Sequence, residues 1–503
     1  MVGAAYGTIP ELLQVRAQQQ PNARALCVAG ETFTYAELEE LAARAGGALQ
    51  SAGVDAGARV AVMAPNSPLL IGVFLGCAWL GATMVPIDPA RRGWSLQQVL
   101  AATHPDRVIA TPATAPRLAD HGPWVWQQND WPTGPTVPPP GGLTGLDPAM
   151  VLFTSGATGA AKGVISPHSQ FLHWGHNLAD ALAITPDDIL FTTLSLHHTN
   201  ALNSLAHAWT AGAQIIVEER FSARSYWSRV AGTGATVGYL LGSLTPRVLE
   251  YAGPASREHR MTRMLSPGLS RSDHQLLAER FGVIGVDGFG STETNFVIGT
   301  HVSEVRPGWM GRVRAGFEID VRPSHLTPAS TSSEQAGELW VRSLIPGAMS
   351  LGYTGEPAPG PRDWRSTGDL VAMEDGWVRF LGRAKDVIRR NGENIQAGDV
   401  EEVLKLHPQV REAAVYAVLD AEQTEVMAAV VPVDTLGTVD PHRIDVQKLA
   451  QHAQRELPPY AVPRFFRVLD ALPETGSGKT DKPLLRSWGI SGDALDIAHL
   501  SRH

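Results

Sequence analysis

The apolar positions of this chain change rhythm repeatedly, and each change marks an element. Thr34-Tyr35-Ala36-Glu37-Leu38-Glu39-Glu40-Leu41-Ala42 opens with a Thr/Glu pair at capping-box spacing and continues at helical spacing, which predicts a helix. Arg59-Val60-Ala61-Val62-Met63 is a short apolar run that predicts a strand. From Leu69 to Val85 seventeen residues pass without a charge, the lower edge of a membrane span. Gly72, Gly76 and Gly81 interrupt that stretch, and Ala82-Thr83-Met84-Val85 before Pro86 reads as a strand. The spacing therefore predicts a buried helix too short to cross a bilayer, then a strand of parallel type. Strand, helix, strand is the grammar of a parallel sheet covered by helices.

Gly122 to Asp147 is rich in Pro and Gly and predicts a long surface connection. A second βαβ-like run covers about 148–300. Gly311 to Val378 carries shorter alternating runs, such as Gly337-Glu338-Leu339-Trp340-Val341-Arg342, and predicts a β-rich subdomain with a polar loop over Thr327–Gln335. From Gly382 the pattern restarts, with helices near Asp399–Leu406 and Val446–Leu457 and strands near Ala413–Val418 and Val426–Val431. The fold class is α/β: two βαβ-type subdomains and a β-rich subdomain, then a small α+β C-terminal domain.

At 503 residues the chain needs two or three cores. A net charge of −9 argues against a nucleic-acid partner. Cys27 and Cys77 lie about 50 residues apart without a nearby Cys/His ligand set, which suggests a reducing, cytoplasmic setting without structural zinc. No basic n-region opens the chain, so no signal peptide is visible. The densest chemistry is Phe153-Thr154-Ser155-Gly156-Ala157-Thr158-Gly159-Ala160-Ala161-Lys162-Gly163. Its hydroxyls, glycines and lysine suit a phosphate loop fed by the strand Val151-Leu152-Phe153. It is not a P-loop, because Ala161 and Gly163 flank the lysine.

That loop, with four later motifs in order, resembles the adenylate-forming superfamily of acyl-CoA synthetases, luciferases and peptide-synthetase adenylation domains. Gly288-Phe289-Gly290-Ser291-Thr292-Glu293 is similar to its adenine and phosphate motif, and Ser366-Thr367-Gly368-Asp369 to its ribose motif. Gly382-Arg383-Ala384-Lys385-Asp386 resembles its hinge, and Pro473-Glu474-Thr475-Gly476-Ser477-Gly478-Lys479 its catalytic-lysine loop. The resemblance implies an adenylation domain over 1–383, a hinge at 384–386 around Lys385 and Asp386, and a small mobile domain over 387–490.

By the same resemblance, Thr154, Ser155, Thr158 and Lys162 hold the β/γ-phosphates of ATP, with Gly156 and Gly159 opening the backbone to them. Gly288, Phe289 and Gly290 receive adenine, with Phe289 stacking on it. Thr292 meets the α-phosphate and Glu293 binds Mg²⁺. Asp369 accepts from the ribose hydroxyls, Arg383 supports ribose or phosphate, and Lys479 bridges carboxylate and α-phosphate. Taken singly, Thr292-Glu293 could be a helix cap, Asp369 a turn residue and Lys479 a solvated loop residue.

Leu196-His197-His198-Thr199-Asn200 looks like the segment whose histidine gates the carboxylate. His198 aligns with the gate, and the adjacent His197 leaves the register open by one. The acyl pocket is expected to include His198, Asn200, Gly238, Tyr239, Gly242, Ser266, Pro267 and Gly268, forming a roomy apolar cavity. No Asp stands there to pair an α-amine, which argues against amino acids. The pattern around Phe221-Ser222-Ala223-Arg224 is similar to ligases for carnitine-like acids, yet no carboxylate is placed to hold a quaternary ammonium. The implied activity is an acid–thiol ligase with ATP, Mg²⁺ and coenzyme A, acting on a bulky apolar acid. The alternative is adenylation alone, with the acyl group passed to a carrier-protein thiol or to a separate enzyme. Monomer and homodimer both stay open.

Overall fold

In a computed structural model, the chain is described over residues 7–127, 133–154, 162–242, 244–253, 258–324, 326, 335–390, 393–420, 423–433, 444–457, 459–475 and 479–497. Local signals account for many elements. The Thr34 hydroxyl accepts from the Glu37 amide at 3.3 Å and Glu37 Oε2 accepts from the Thr34 amide at 2.8 Å, starting the helix Tyr35–Ser51. The uncharged stretch forms the helix Pro68–Leu80, buried along its whole length, followed by the strand Thr83–Pro86 in parallel pairing. Gly76 is a contact point rather than a break: a Cβ there would lie 2.8 Å from Ala45 Cβ, so its absence lets the two helices touch. Among the described residues no helix is long and apolar enough to cross a membrane.

Two mainly parallel sheets form the first part, as the alternating pattern predicts, but the chain assigns strands to them out of order. The six-stranded sheet contains Arg59–Met63 and Thr83–Pro86 together with Pro148–Thr154 and Lys162–Pro167. The seven-stranded sheet contains Ile189–Thr192, Val237–Tyr239 and Arg263–Leu265, and it also takes in Arg24–Val28 from near the start. The expected division into an early and a late βαβ run is corrected accordingly. Periodicity marks a strand as buried, whereas its choice of sheet depends on long-range pairing.

The Pro/Gly-rich connection is also tighter than expected. Trp79 Nε1 donates to the Val137 carbonyl at 2.7 Å, and a Cβ on Gly47 would meet the Pro135 carbonyl, so the segment is strapped across two helices. A four-stranded antiparallel sheet of Phe317–Arg322, Gln335–Ser343, Arg365–Glu374 and Trp377–Arg383 forms the β-rich part. Its strand already begins at Gln335, and residues 327–334 of the expected loop lie outside the described residues. Beyond one turn at Ala384–Asp386, a further four-stranded sheet packs its own cores around Val415, Val426, Leu449 and Phe466 and around Tyr416, Met427 and Phe465.

Candidate functional site

The first sheet delivers the phosphate-loop ends. Thr154 and Lys162 pair across the antiparallel strands Pro148–Thr154 and Lys162–Pro167. Ser155, Gly156, Thr158 and Gly159 lie outside the described residues. Lys162 Nζ pairs with Glu356 Oε1 at 2.9 Å and sits 4.8 Å from the Tyr353 ring centre. The Tyr353 hydroxyl donates to Glu293 Oε1 at 3.0 Å, and burial and the Glu293 carboxylate raise its pKa. Lys162 and Glu293, 131 positions apart in sequence, thus meet through one tyrosine. The Glu293 carbonyl accepts from the Ser350 amide at 3.0 Å, and Arg365 clasps Ser350 at Oγ (2.9 Å) and at its carbonyl (2.8 Å).

The strand Gly288–Ser291 sits above aromatic side chains. A Cβ on Gly288 would lie 2.3 Å from the Phe296 ring, and one on Gly290 2.6 Å from Trp174, so these glycines admit rings from the protein side. Phe289 is 8 % exposed and packs with Val297, Ile298 and Met310, so protein packing takes up most of its surface. Asp287, which the sequence reading missed, precedes them. Its Oδ1 accepts from Gly268 N at 2.8 Å and Gly288 N at 2.7 Å, tying the expected acyl segment to the expected adenine strand. Burial pushes its carboxyl up to about 7. Thr292 Oγ1 lies 2.5 Å from Thr199 Oγ1, joining the motif to the helix Thr199–Ala211 that follows His198.

Asp369 is 2 % exposed on the strand Arg365–Glu374. Arg383 stands opposite in register, its Nε 3.0 Å from Asp369 Oδ1 as an ion pair, and the Asp369 amide donates to Thr367 Oγ1 at 3.1 Å. Burial pushes the Asp369 carboxyl up, the charges of Arg383 and Lys479 pull it down, and Glu293 pushes it up further. Charges from three other motifs therefore act on the Asp369 carboxyl. Lys479 is exposed, and its amide donates to Thr475 Oγ1 at 3.3 Å. Gly476, Ser477 and Gly478 lie outside the described residues. In the hinge motif Lys385 and Asp386 occupy the turn Ala384–Asp386, and Asp386 Oδ1 accepts from Arg486 Nη2 at 2.9 Å.

The residues expected at the acyl pocket differ in burial. His197 is buried, with Nδ1 2.6 Å from Ser195 Oγ and Nε2 2.8 Å from the Ala64 carbonyl, and burial lowers its pKa to about 4. His198 and Asn200 are half-buried at the start of the next helix, and Asn200 Nδ2 is buried without a hydrogen-bond partner among the described residues. Pro267 and Gly268 reach the surface. Tyr239 and Ser266 are 0 % exposed, committed to His207 Nδ1 at 3.1 Å and Thr245 Oγ1 at 2.9 Å. A Cβ on Gly238 would lie 2.8 Å from Met261 Sδ. These three are packed into the interior, on or beside the inner strand Val237–Tyr239 of a parallel sheet.

Gly242 is tightly enclosed. A Cβ there would lie 2.1 Å from the Gly268 carbonyl oxygen, so a side chain meets backbone instead of filling a cavity. Gly242→Trp should consequently lower kcat/KM for short and long acids alike and lower Tm. Loss confined to large acids would show that the side chain points into the acyl site.

Two parallel sheets, a β-rich layer and a small α+β unit that bring these motifs to one place define an adenylate-forming enzyme. The chain belongs to the AMP-binding enzyme family, which it matches over residues 13–354, with the AMP-binding enzyme C-terminal domain over residues 399–479. It is similar to a crotonobetaine/carnitine–CoA ligase of Salmonella paratyphi A, 26 % identical over 488 residues that cover 90 % of this chain and 93 % of that protein. Its fold is similar to an anthranilate CoA ligase in complex with anthranoyl-AMP, at TM-score 0.84 and 21 % identity, covering 98 % of both chains. It is likewise similar to a benzoate CoA ligase from Burkholderia xenovorans LB400, at TM-score 0.83 and 23 % identity, covering 96 % of this chain and 100 % of that one.

Proposed function

We propose that this chain is an ATP-dependent acyl-CoA ligase for a compact, largely apolar acid of aryl size. The observation that carries the reading is the buried Asp369 carboxylate, ion-paired to Arg383 at 3.0 Å and subject to the charges of Glu293 and Lys479, residues drawn from both sides of the turn Ala384–Asp386. Joining a carboxylate to ATP brings two anions together at the α-phosphorus, so the site needs cations aimed at that charge. Asp369 accepts from the ribose hydroxyls, Lys162 and Thr154 face the β/γ-phosphates, and Thr292 the α-phosphate. Lys479 neutralises charge as the carboxylate oxygen attacks and pyrophosphate leaves. Among the described residues no cluster of three or more His, Cys, Asp or Glu gathers. That suits Mg²⁺, which keeps waters and phosphate oxygens and takes one or two carboxylates, here Glu293. When bound it supplies charge neutralisation at the phosphates.

The acid sits by His198, Asn200, Pro267 and Gly268. The gate is His198, since His197 spends both ring nitrogens inside the protein. Close packing at Gly238, Tyr239 and Ser266 favours a short, flat acyl group over a long chain. In the second step the 387–490 unit turns about Lys385 and Asp386, the CoA thiol attacks the acyl carbonyl and AMP leaves. Pyrophosphate and thioester release across benzoates, a trimethylammonium acid and fatty acids tests this. Benzoate-sized acids should lead, and thioester should require CoA. Adenylate without thioester would shift the reading to a carrier-protein acceptor, and no pyrophosphate with any acid would end it.

A further inference from the structure

Five charges of alternating sign run from the large part of the molecule into the small one: Glu250, Arg411, Glu412, Arg247 and Glu474. Arg247 and Glu250 stand three residues apart on the helix Thr245–Glu250, so they share one face. Arg411 Nη1 lies 3.2 Å from Glu250 Oε1, and Arg411 Nε lies 3.2 Å from Glu412 Oε1. Arg247 Nε is 3.8 Å from Glu412 Oε1, and Arg247 Nη2 pairs with Glu474. Every side chain in the row is between 13 % and 30 % exposed, so water screens these pairs less than it would an isolated surface bridge.

The row ends at a mechanically connected point. Glu474 bridges to Thr480, the Thr475 amide donates to the Lys479 carbonyl at 2.7 Å, and the Asp481 amide donates to the Pro473 carbonyl at 2.7 Å. Glu474 is therefore at the base of the hairpin that carries Lys479. At the other end, Thr245 Oγ1 lies 2.9 Å from Ser266 Oγ, which anchors the Arg247 helix to the acyl-side segment. Arg247 thus pairs with the base of the segment that carries Lys479, and the Arg411–Glu250 pair is a further tie between the two parts.

We propose that Arg247 is a positioning residue for adenylation: through Glu474, and backed by Arg411–Glu250, it holds the Lys479 hairpin against the acyl side of the site. This rests on the ligase reading above, in which Lys479 serves only the first step. The row must break when the small unit turns for thioester formation, so Arg247 matters for one half-reaction. Arg247→Ala and Glu474→Gln should each slow single-turnover acyl-AMP formation by about 10–100-fold, through kcat more than KM. Both should convert supplied acyl-AMP and CoA to thioester at about the wild-type rate, and Arg247→Lys should keep most of the adenylation rate. Equal loss in both steps, or no loss in either, overturns the proposal.

A readout without substrate separates this failure from that of the ligase reading. Fluorescent probes at Val125 and Leu419, 47 % and 74 % exposed, report the distance between the two parts in a Cys27→Ser background. Arg247→Ala should broaden that distance distribution, and an unchanged distribution overturns the tie. If the distribution broadens while the wild type adenylates no acid, the ligase reading falls instead.

Discussion

Lys479→Ala should lower the rate of acyl-AMP formation by on the order of 10²–10³ while leaving thioester formation from supplied acyl-AMP close to wild type. The lysine is exposed beside the Glu474–Thr480 bridge, yet its charge reaches the buried carboxylate of Asp369. Only the first step brings a carboxylate against the α-phosphate, so only that step has excess negative charge for the ammonium to neutralise. In the second step a thiol meets an acyl carbonyl and AMP departs, and after rotation Lys479 would face solvent. Two single-turnover assays on the same variant, one starting from acid and ATP and one from acyl-AMP and CoA, give the comparison. Parallel losses in both would mean that the small unit does not alternate between poses.

Acid should destabilise the fold through its buried histidines. His168, His197 and His274 are buried, with burial lowering their pKa values to about 4, and His207 to about 3. Unfolded, each returns to an ordinary value near 6.5, so between pH 6.5 and 4 the unfolded chain binds more protons than the fold. Their contribution is fully present above pH 6.5 and is lost as pH falls toward 4. Each can contribute up to roughly 1.4 kcal/mol per pH unit, against a total stability of typically 5–15 kcal/mol. Burial raises the carboxyls of Asp273, Asp287, Asp369 and Asp399, which work in the opposite sense, favouring the fold at low pH. The clean measurement is a difference: urea midpoints of wild type and His207→Gln from pH 7.5 to 5. The wild-type midpoint should fall more steeply with acid, and identical slopes would show that His207 is not held neutral by the fold.

Much of the site could be read from residues close together in the chain. The capping pair at Thr34 and Glu37, the uncharged helix and the Arg383 and Asp369 motifs carry their signals within a few residues. Asp287 was findable in principle, since a carboxylate directly before Gly288 is an unusual choice for a position the fold buries. Tyr353 and Arg247 carry no local signal. Tyr353 matters because Lys162 and Glu293 both reach it, and Arg247 because it pairs with Glu412 and Glu474 more than 160 positions away.

The amino-acid sequence by itself determined the classes of element, the order of the motifs and the family, because periodicity, capping and motif spacing are local properties of the chain. Tertiary structure alone decided that Arg24–Val28 and Glu31–Thr34 join a sheet otherwise built from residues beyond 188. It also decided that Gly238, Tyr239 and Ser266 are packed into the interior, and that Gly242 lies against backbone. Those outcomes depend on which distant surfaces exclude water together, and that is settled only when the sheets pack.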